Sequence, residues 1–224
     1  MSEPERTPPS SQPQTIRTRR RIFGIDRSGP EPTATRAGQP LRPFTIPNMI
    51  GYARLAALPV FLYLAFDDPN GRDPVATAIF GVVAWGDYFD GMVARLTGQY
   101  SRLGALLDPV VDRLTVLCGA IVCFNFELLP RWLLIALGLR ELVIPFLARF
   151  AITRGVDIEI TWVGRIAAFL VFFSLFWAMV FDTIAFDITL GIGVAMAWAA
   201  TLLYIKTGRE RARAGDRAQP SSSG

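Results

Sequence analysis

The chain has 224 residues, of which 51% are hydrophobic and only 19% are charged. A soluble domain normally carries about 25% charged residues, so this composition favours a membrane protein over a soluble bundle of long buried helices. The net charge of +4 comes from arginines, because Lys206 is the single lysine. These arginines cluster at the ends of apolar runs, which is typical of membrane orientation and anionic lipid headgroups rather than of nucleic-acid binding.

Residues 1–42 are rich in Pro, Ser, Thr, Gln and Arg, and they predict a basic, disordered N-terminal tail. No apolar run follows the arginines at Arg17–Arg21, so this tail does not resemble a secretory signal peptide. Residues 43–206 contain repeated apolar runs near the ~18 residues that predict a transmembrane helix. The predicted spans are Pro47–Phe66, Pro74–Leu96, Leu103–Phe126, Trp132–Phe150, Trp162–Phe181 and Ile188–Ile205. Residues 207–224 predict a basic and then disordered C-terminal tail.

The arginines also predict how the spans are oriented. They are abundant in both tails, in the turn with Arg95 and Arg102, and in the loop after Arg149, but the alternate loops hold only Arg72 and Arg131. The positive-inside rule therefore puts both termini in the cytoplasm. The fold class that follows is an all-α integral membrane protein with six transmembrane helices. The near absence of lysine is typical of a GC-rich bacterial genome and favours a bacterial inner membrane.

The residue types limit the chemistry that the chain can perform. There is no histidine, so mechanisms that need imidazole as nucleophile, general base or zinc ligand are excluded. Cys118 and Cys123 lie five residues apart in one apolar run, which disfavours a disulfide between them and predicts two core thiols. Any catalysis must use carboxylates, arginines, hydroxyls or a metal held by oxygen.

Four aspartates flank the predicted cytoplasmic turn between the second and third spans. Helical spacing puts two sets of residues on one face each: Asp87, Asp90, Gly91 and Ala94 in the second span, and Gly104, Asp108 and Asp112 in the third. A tight helical hairpin brings the two faces together, and the small residues allow a close approach of backbone or ligand. Helix capping or a surface turn would explain one or two of these aspartates but not all four.

Four neighbouring carboxylates in or near a bilayer cannot all stay ionised without a compensating charge. An isolated buried charge costs several kcal/mol, and like charges at ~4 Å repel further. Arginines can neutralise some of them, but a hard divalent cation does so with better geometry. Ligation by oxygen alone favours Mg²⁺, Mn²⁺ or Ca²⁺ over zinc. Two such ions against a diphosphate would form a phosphoryl-transfer site.

The stretch "DYFDGMVARLTGQYSRLGALLDPVVD" reads D-x2-D-G-x2-A-R-x8-G-x3-D-x3-D, with eight fixed residues over 26 positions. It resembles the signature of the CDP-alcohol phosphatidyltransferases, and the resemblance extends from Pro47 to about Lys206. It implies six membrane helices in a homodimer, with an active site that faces the cytoplasm. It also implies transfer of a phosphatidyl or related group from a CDP-linked donor, here CDP-diacylglycerol, to an alcohol with release of CMP.

The same resemblance assigns roles to the motif residues. Asp87, Asp90 and Asp108 would hold two Mg²⁺ or Mn²⁺ ions against the diphosphate. Asp112 would be the general base for the acceptor hydroxyl and would also touch a metal ion. The donor site would comprise Asn48, Asp87, Asp90, Gly91, Ala94, Arg95 and Gly104, with the small residues leaving room for the cytidine nucleotide.

Three further segments bear on the acceptor alcohol. "IPN" at Ile46–Asn48, followed by Arg54, resembles phosphatidylglycerophosphate and cardiolipin synthases of this family, and "LRE" at Leu139–Glu141 resembles the glycerophosphate-using enzymes. "WVGRIAAF" from Trp162 is similar to the cardiolipin-forming branch. We predict an anionic acceptor, sn-glycerol 3-phosphate, bound by Arg140 and Arg165. The alternatives are phosphatidylglycerol, another acceptor such as inositol phosphate, and an Arg140 that pairs with Glu141 instead of a substrate.

Two other classes of membrane protein use intramembrane aspartates. A cation transporter usually spreads its acidic residues along several helices, whereas here they are confined to one hairpin. A membrane prenyltransferase has more spans and tighter aspartate clusters. A cardiolipin synthase of the phospholipase D type needs histidine. The enzyme hypothesis is therefore preferred, with the lipid bilayer and a second copy of the chain as partners and no nucleic acid.

Overall fold

The structure is a computed structural model, and it describes residues 43–97, 101–153 and 162–218. Within these ranges the chain is all-helical apart from short turns. The helices are α1 (Ile46–Asp67), α2 (Pro74–Thr97), α3 (Arg102–Asn125), α4 (Arg131–Thr153), α5 (Trp162–Ala178) and α6 (Ile184–Ala218). The predicted N-terminal tail, most of the turn between the second and third spans, the loop before Trp162 and the last six residues lie outside the described part.

Local signals in the sequence set where the helices begin. Asp73 precedes Pro74, and its Oδ1 accepts a hydrogen bond from the Ala76 amide at 2.6 Å, which caps α2. Ser101 caps α3 in the same way, with its Oγ 2.9 Å from the Gly104 amide nitrogen. Gly71, in the turn before α2, has a φ of 65°, a conformation that a residue without Cβ adopts readily. Each of the six predicted spans overlaps one of the observed helices.

The sixth helix differs most from its predicted bounds. It begins at Ile184 rather than Ile188 and continues to Ala218, within the segment that was predicted to be a disordered tail. The sequence "RERARAGDRA" at its end consists mainly of arginine, alanine and glutamate, which are strong helix formers even when they are polar all round. The end of this helix was predicted too early because the prediction followed only the apolar residues, which stop near Ile205.

The chain forms two compact units. In the described part, one comprises residues 43–54, 85–97 and 101–109, and the other comprises residues 55–84, 110–153 and 162–218. The second unit contains a hydrophobic core in which Phe61 and Phe80 are fully buried, with ring centroids 5.3 Å apart. In this unit α5 packs along α6, and the Trp198 indole donates a hydrogen bond to the Ala136 carbonyl at 3.2 Å, which ties α6 to α4.

Two helical segments in the described part are long and apolar enough to cross a membrane, Ile46–Asp67 and Ile184–Leu203, with mean hydropathies of 1.6 and 1.7. Pro74–Gly86 and Trp162–Ala178 are apolar but shorter. In the sequence, Asp87 directly follows the apolar segment of α2. Large apolar side chains on every helix, such as Trp132 (70% exposed) and Phe146 (76%), face away from the protein core. Lipid is the solvent that suits such a surface.

Candidate active site

The helices place the four aspartates at the predicted helical spacing. Asp87 and Asp90 lie one turn apart near the end of α2, and Asp108 and Asp112 lie one turn apart in α3. Asp108 and Asp112 are half-buried, and each takes part in a polar or electrostatic interaction. The side chains of Asp87, Asp90, Gly91, Ala94 and Arg95 lie outside the described part, so their predicted roles stay predictions.

Asn48 connects the start of α1 to the start of α3. Its side chain is buried, with 1% exposure, and its Oδ1 accepts a hydrogen bond from the Ser101 hydroxyl at 2.8 Å. Its Nδ2 donates to the Pro43 carbonyl at 3.2 Å. A Cβ on Gly104 would lie 2.7 Å from Asn48 Oδ1, so the absence of a side chain there makes room for this amide. The predicted donor-binding residues Asn48 and Gly104 thus contact each other, and their contact with a nucleotide stays a prediction.

Arg54 is buried against the turn of α2 that leads into the aspartates. Its side chain is 4% exposed, and a Cβ on Gly86 would lie 2.6 Å from Arg54 Cδ and 2.8 Å from Nε. Gly86 directly precedes Asp87. Among the described residues only Arg54 and Glu141 are charged and buried, and a buried arginine requires compensation by other polar groups.

Arg140 and Arg165, the predicted acceptor ligands, have different surroundings. Arg140 forms an ion pair with Glu141, whose side chain is almost fully buried, and this is the alternative that the sequence had left open. The Nε of Arg140 is buried and has no hydrogen-bond partner among the described residues. Arg165 is exposed in the first turn of α5, where its guanidinium lies 5.2 Å from the Trp162 ring centroid. Arg165 is therefore accessible at the surface, whereas Arg140 already has a counter-ion.

The ligand atoms that the motif offers suit a hard divalent cation. The aspartates supply only oxygen, which Mg²⁺ and Mn²⁺ prefer, and Asp108 and Asp112 sit on adjacent turns of one helix. Among the side chains that the structure describes, no three acidic or thiol groups lie close enough together to hold a metal ion. Two of the four predicted ligands, Asp87 and Asp90, are not among those side chains. Ion number and identity therefore stay predictions.

Sequence reasoning assigned no site role to Ser101, Gly86 or Arg54. Ser101 has a recognisable signal, because a serine three residues before a glycine at the start of an apolar helical run is typical of an N-cap. Gly86 and Arg54 are separated by more than thirty residues, and nothing in the local pattern of either one indicates their contact. The sequence associated Arg54 only with the segment that begins at Ile46.

A family model described as CDP-alcohol phosphatidyltransferase matches residues 44–205, which is most of the chain. The chain belongs to this family. The match begins two residues before α1 and includes all four aspartates. Proteins of this family are membrane-bound, act on CDP-alcohols and use divalent metal, and the match confirms the family predicted from the motif.

Curated relatives of this chain carry two kinds of name. A Streptomyces coelicolor protein named "Cardiolipin synthase (CMP-forming)" is 31% identical over 77% of this chain and 86% of its own length. A Pectobacterium atrosepticum protein named "CDP-diacylglycerol--glycerol-3-phosphate 3-phosphatidyltransferase" is 32% identical over 71% of this chain and 88% of its own length. A Mycobacterium tuberculosis protein named "Putative cardiolipin synthase" is 37% identical over 57% of this chain. The chain matches 61% of that protein's length, less than two thirds.

Proposed function

We propose that the protein transfers a phosphatidyl group from CDP-diacylglycerol to an alcohol acceptor and releases CMP. The observation that carries this proposal is the uninterrupted aspartate motif, seated on two consecutive helices within a family match of residues 44–205. In the reaction, the acceptor oxygen bonds to the phosphorus that carries diacylglycerol. The bond from that phosphorus to the bridging oxygen breaks, and CMP leaves with the electron pair.

The aspartates divide into two tasks in this proposal. Asp87, Asp90 and Asp108 would hold two Mg²⁺ or Mn²⁺ ions, which supply electrostatic stabilisation of the charge that develops on the diphosphate. Asp112 would accept the proton of the acceptor hydroxyl and also touch a metal ion. Gly91, Ala94, Gly104 and Arg95 would surround the cytidine nucleotide, with Asn48 supporting that site through its hydrogen bond to Ser101.

The protein's setting in the membrane is part of the proposal. The arginine distribution supports six spans with both termini in the cytoplasm, and therefore an active site that faces the cytoplasm at a bacterial inner membrane. The shorter apolar segments of α2 and α5 support additional spans beyond α1 and α6. The helix α2 continues past its apolar segment through the motif to Thr97, and the 17 residues of α5 are close to the length that a span needs. A homodimer is proposed from the family resemblance.

The sequence predicts sn-glycerol 3-phosphate as the acceptor, which would make phosphatidylglycerophosphate. One structural observation favours phosphatidylglycerol, which would make cardiolipin. Glu141 neutralises Arg140, leaving Arg165 as the accessible cation of the predicted pair. A phosphate monoester carries up to two negative charges and benefits from several cations, whereas a phosphodiester lipid carries one and is also held by its acyl chains. The names of the relatives include both activities.

Product analysis with each acceptor alone tests the proposal. Purified protein would receive CDP-diacylglycerol, Mg²⁺ or Mn²⁺, and either sn-glycerol 3-phosphate, phosphatidylglycerol or inositol phosphate, with CMP and the lipid product identified by mass spectrometry. CMP release that depends on both metal and acceptor supports the transferase. Full activity in excess chelator would contradict the metal sites. Cation flux without any CMP release would favour the transporter alternative.

A further inference from the structure

Arg54 and Gly86 form a close contact beside the aspartate motif. The proposed reaction gives this contact no role. Gly86 is buried, and even a single methyl group at this position would overlap the Arg54 side chain between its Cγ and Nε. The overlap involves the middle of the arginine rather than its flexible end. Gly86 therefore permits an approach that any other residue would prevent.

Arg54 shares the described part of its compact unit with three carboxylates. Its side chain is 4% exposed, so water supplies little compensation for the charge. Between residues 43 and 54 and between residues 85 and 109, the carboxylates are Asp87, Asp90 and Asp108. All three belong to the motif, so the acidic groups available to Arg54 within this part of the chain are also the proposed metal ligands.

We propose that Arg54 is a positioning residue whose buried charge compensates the motif aspartates and thereby limits how tightly they bind metal. This inference rests on the proposed metal-dependent function. Arg54 and a divalent ion are both cations attracted by the same carboxylates, so each weakens the attraction for the other. Arg54 would keep the acidic turn of α2 stable before metal and CDP-linked donor arrive.

Thermal unfolding of the full chain in detergent, measured over a Mn²⁺ titration, tests this without relying on activity. In Arg54→Met, which keeps an unbranched stem beside Gly86 but loses the charged guanidinium, metal-free protein should unfold at a lower temperature than wild type. The Mn²⁺ midpoint for stabilisation should fall by roughly threefold to thirtyfold, since a repelling unit charge has been removed from a poorly solvated site. A side chain with only a packing role would lower the unfolding temperature equally with and without Mn²⁺ and leave that midpoint unchanged.

Two further variants keep the test decisive even if Arg54→Met does not fold. Arg54→Lys retains the charge and should keep a midpoint within about twofold of wild type, because the electrostatic effect depends on the charge. Gly86→Ala displaces Arg54 and should shift the midpoint in the same direction as Arg54→Met. Gly81→Ala is the matched control, since its Cβ would also be crowded, 2.8 Å from Phe176, on the same helix but away from Arg54. It should lower stability without moving the midpoint.

The outcomes separate this inference from the proposed function. If Mn²⁺ does not stabilise the wild type and no CMP is released, the proposed function itself fails. If Mn²⁺ stabilises the wild type but Arg54→Met and Gly86→Ala leave the Mn²⁺ midpoint unchanged or raise it, the role of Arg54 is overturned and the transferase proposal stands.

Discussion

Asp108 and Asp112 are one helical turn apart in α3, yet the proposed reaction gives them different tasks. Metal ligation requires the carboxylate's charge and oxygen geometry throughout the cycle, whereas a general base needs only to accept one proton in the chemical step. The amide of asparagine cannot accept that proton. The same substitution should therefore have different kinetic consequences at the two positions.

For the metal ligands, we expect Asp87→Asn, Asp90→Asn and Asp108→Asn each to remove most of the CMP-releasing activity. Each replacement removes one negative charge from the set that holds the divalent ions. Activity measured over a Mg²⁺ or Mn²⁺ titration checks this, and a ligand variant should recover some activity at high metal concentration. Asp187→Asn is a control outside the motif, near the start of α6, and should leave the metal dependence unchanged. Wild-type activity in all three motif variants would refute the metal assignment.

For the general base, we expect Asp112→Asn to bind CDP-diacylglycerol nearly as well as the wild type while kcat falls by about 10²–10⁴-fold. Donor binding measured by equilibrium methods, together with kcat from CMP release, separates the two effects. If donor affinity fell as far as kcat, Asp112 would act mainly as a metal ligand.

The two arginines proposed for the acceptor should respond unequally to truncation. Arg165→Ala should raise the KM for the acceptor far more than the KM for CDP-diacylglycerol, with kcat comparatively spared, because uniform binding is lost. Arg140→Ala leaves the buried Glu141 without its ion-pair partner, and breaking a buried pair in this way costs about 3–5 kcal/mol. It should therefore lower thermal stability, which Arg165→Ala should not.

The double replacement Arg140→Met with Glu141→Gln provides the control for that comparison. It removes both charges together and should recover much of the stability that Arg140→Ala loses. If this double variant folds and its KM for the acceptor is normal, Arg140 has no part in acceptor binding.

At the scale of the elements, helix packing in the second unit depends on glycines whose roles differ. A Cβ on Gly119 in α3 would lie 2.7 Å from the Phe80 ring, whereas a Cβ on Gly138 in α4 would meet nothing within 4 Å. We expect Gly119→Ala to destabilise the fold by about 1–3 kcal/mol through overpacking. Gly138→Ala should be neutral or slightly stabilising, because alanine favours the helix by up to about 1 kcal/mol. Thermal unfolding in detergent checks both variants, and equal effects would contradict the packing described for α3.

The elements also show how far the sequence alone could predict the fold. Apolar runs predicted a span within each of the six helices of the described part, to within a few residues at most ends, because that signal is local. The end of α6 was predicted too early, because the polar helix formers after Lys206 carry no apolar signal. Contacts between residues far apart in the chain, such as those of Arg54 with Gly86 and Asn48 with Ser101, were not predictable, since nothing local encodes them.

The candidate site was predictable to a similar degree. The motif singled out the aspartates because eight spaced residues rarely recur together by chance. The family match confirms the family that the motif predicted, and the roles of the aspartates stay predictions. The pairing of Arg140 with Glu141 could be named only as an alternative, because adjacent helical residues do not ordinarily face each other and the burial of Glu141 is not visible in the sequence.

At the scale of the whole molecule, the topology can be tested with single cysteines. Cys118 and Cys123 are both buried and free of disulfides, so they should react slowly with membrane-impermeant thiol reagents. Replacing both with alanine and adding one cysteine near either terminus gives two reporters, and cysteines in the turn at Asn70 and the loop at Asp182 give two more. In spheroplasts we expect labelling at Asn70 and Asp182 only, because the positive-inside rule puts both termini in the cytoplasm. Labelling of a terminus in intact spheroplasts would contradict six spans with this orientation.

The hydrogen bond between Asn48 and Ser101 has a consequence for biosynthesis. Ser101 lies 53 residues after Asn48, and at about 5–20 residues per second a ribosome needs roughly 3–10 s to cover that interval. Throughout that time the Asn48 side-chain oxygen lacks the Ser101 hydroxyl, although its Nδ2 can already donate to the nearby Pro43 carbonyl. The start of α1 can therefore be fixed to the start of α3 only after synthesis has reached the third helix, so this end of the domain takes its final arrangement late.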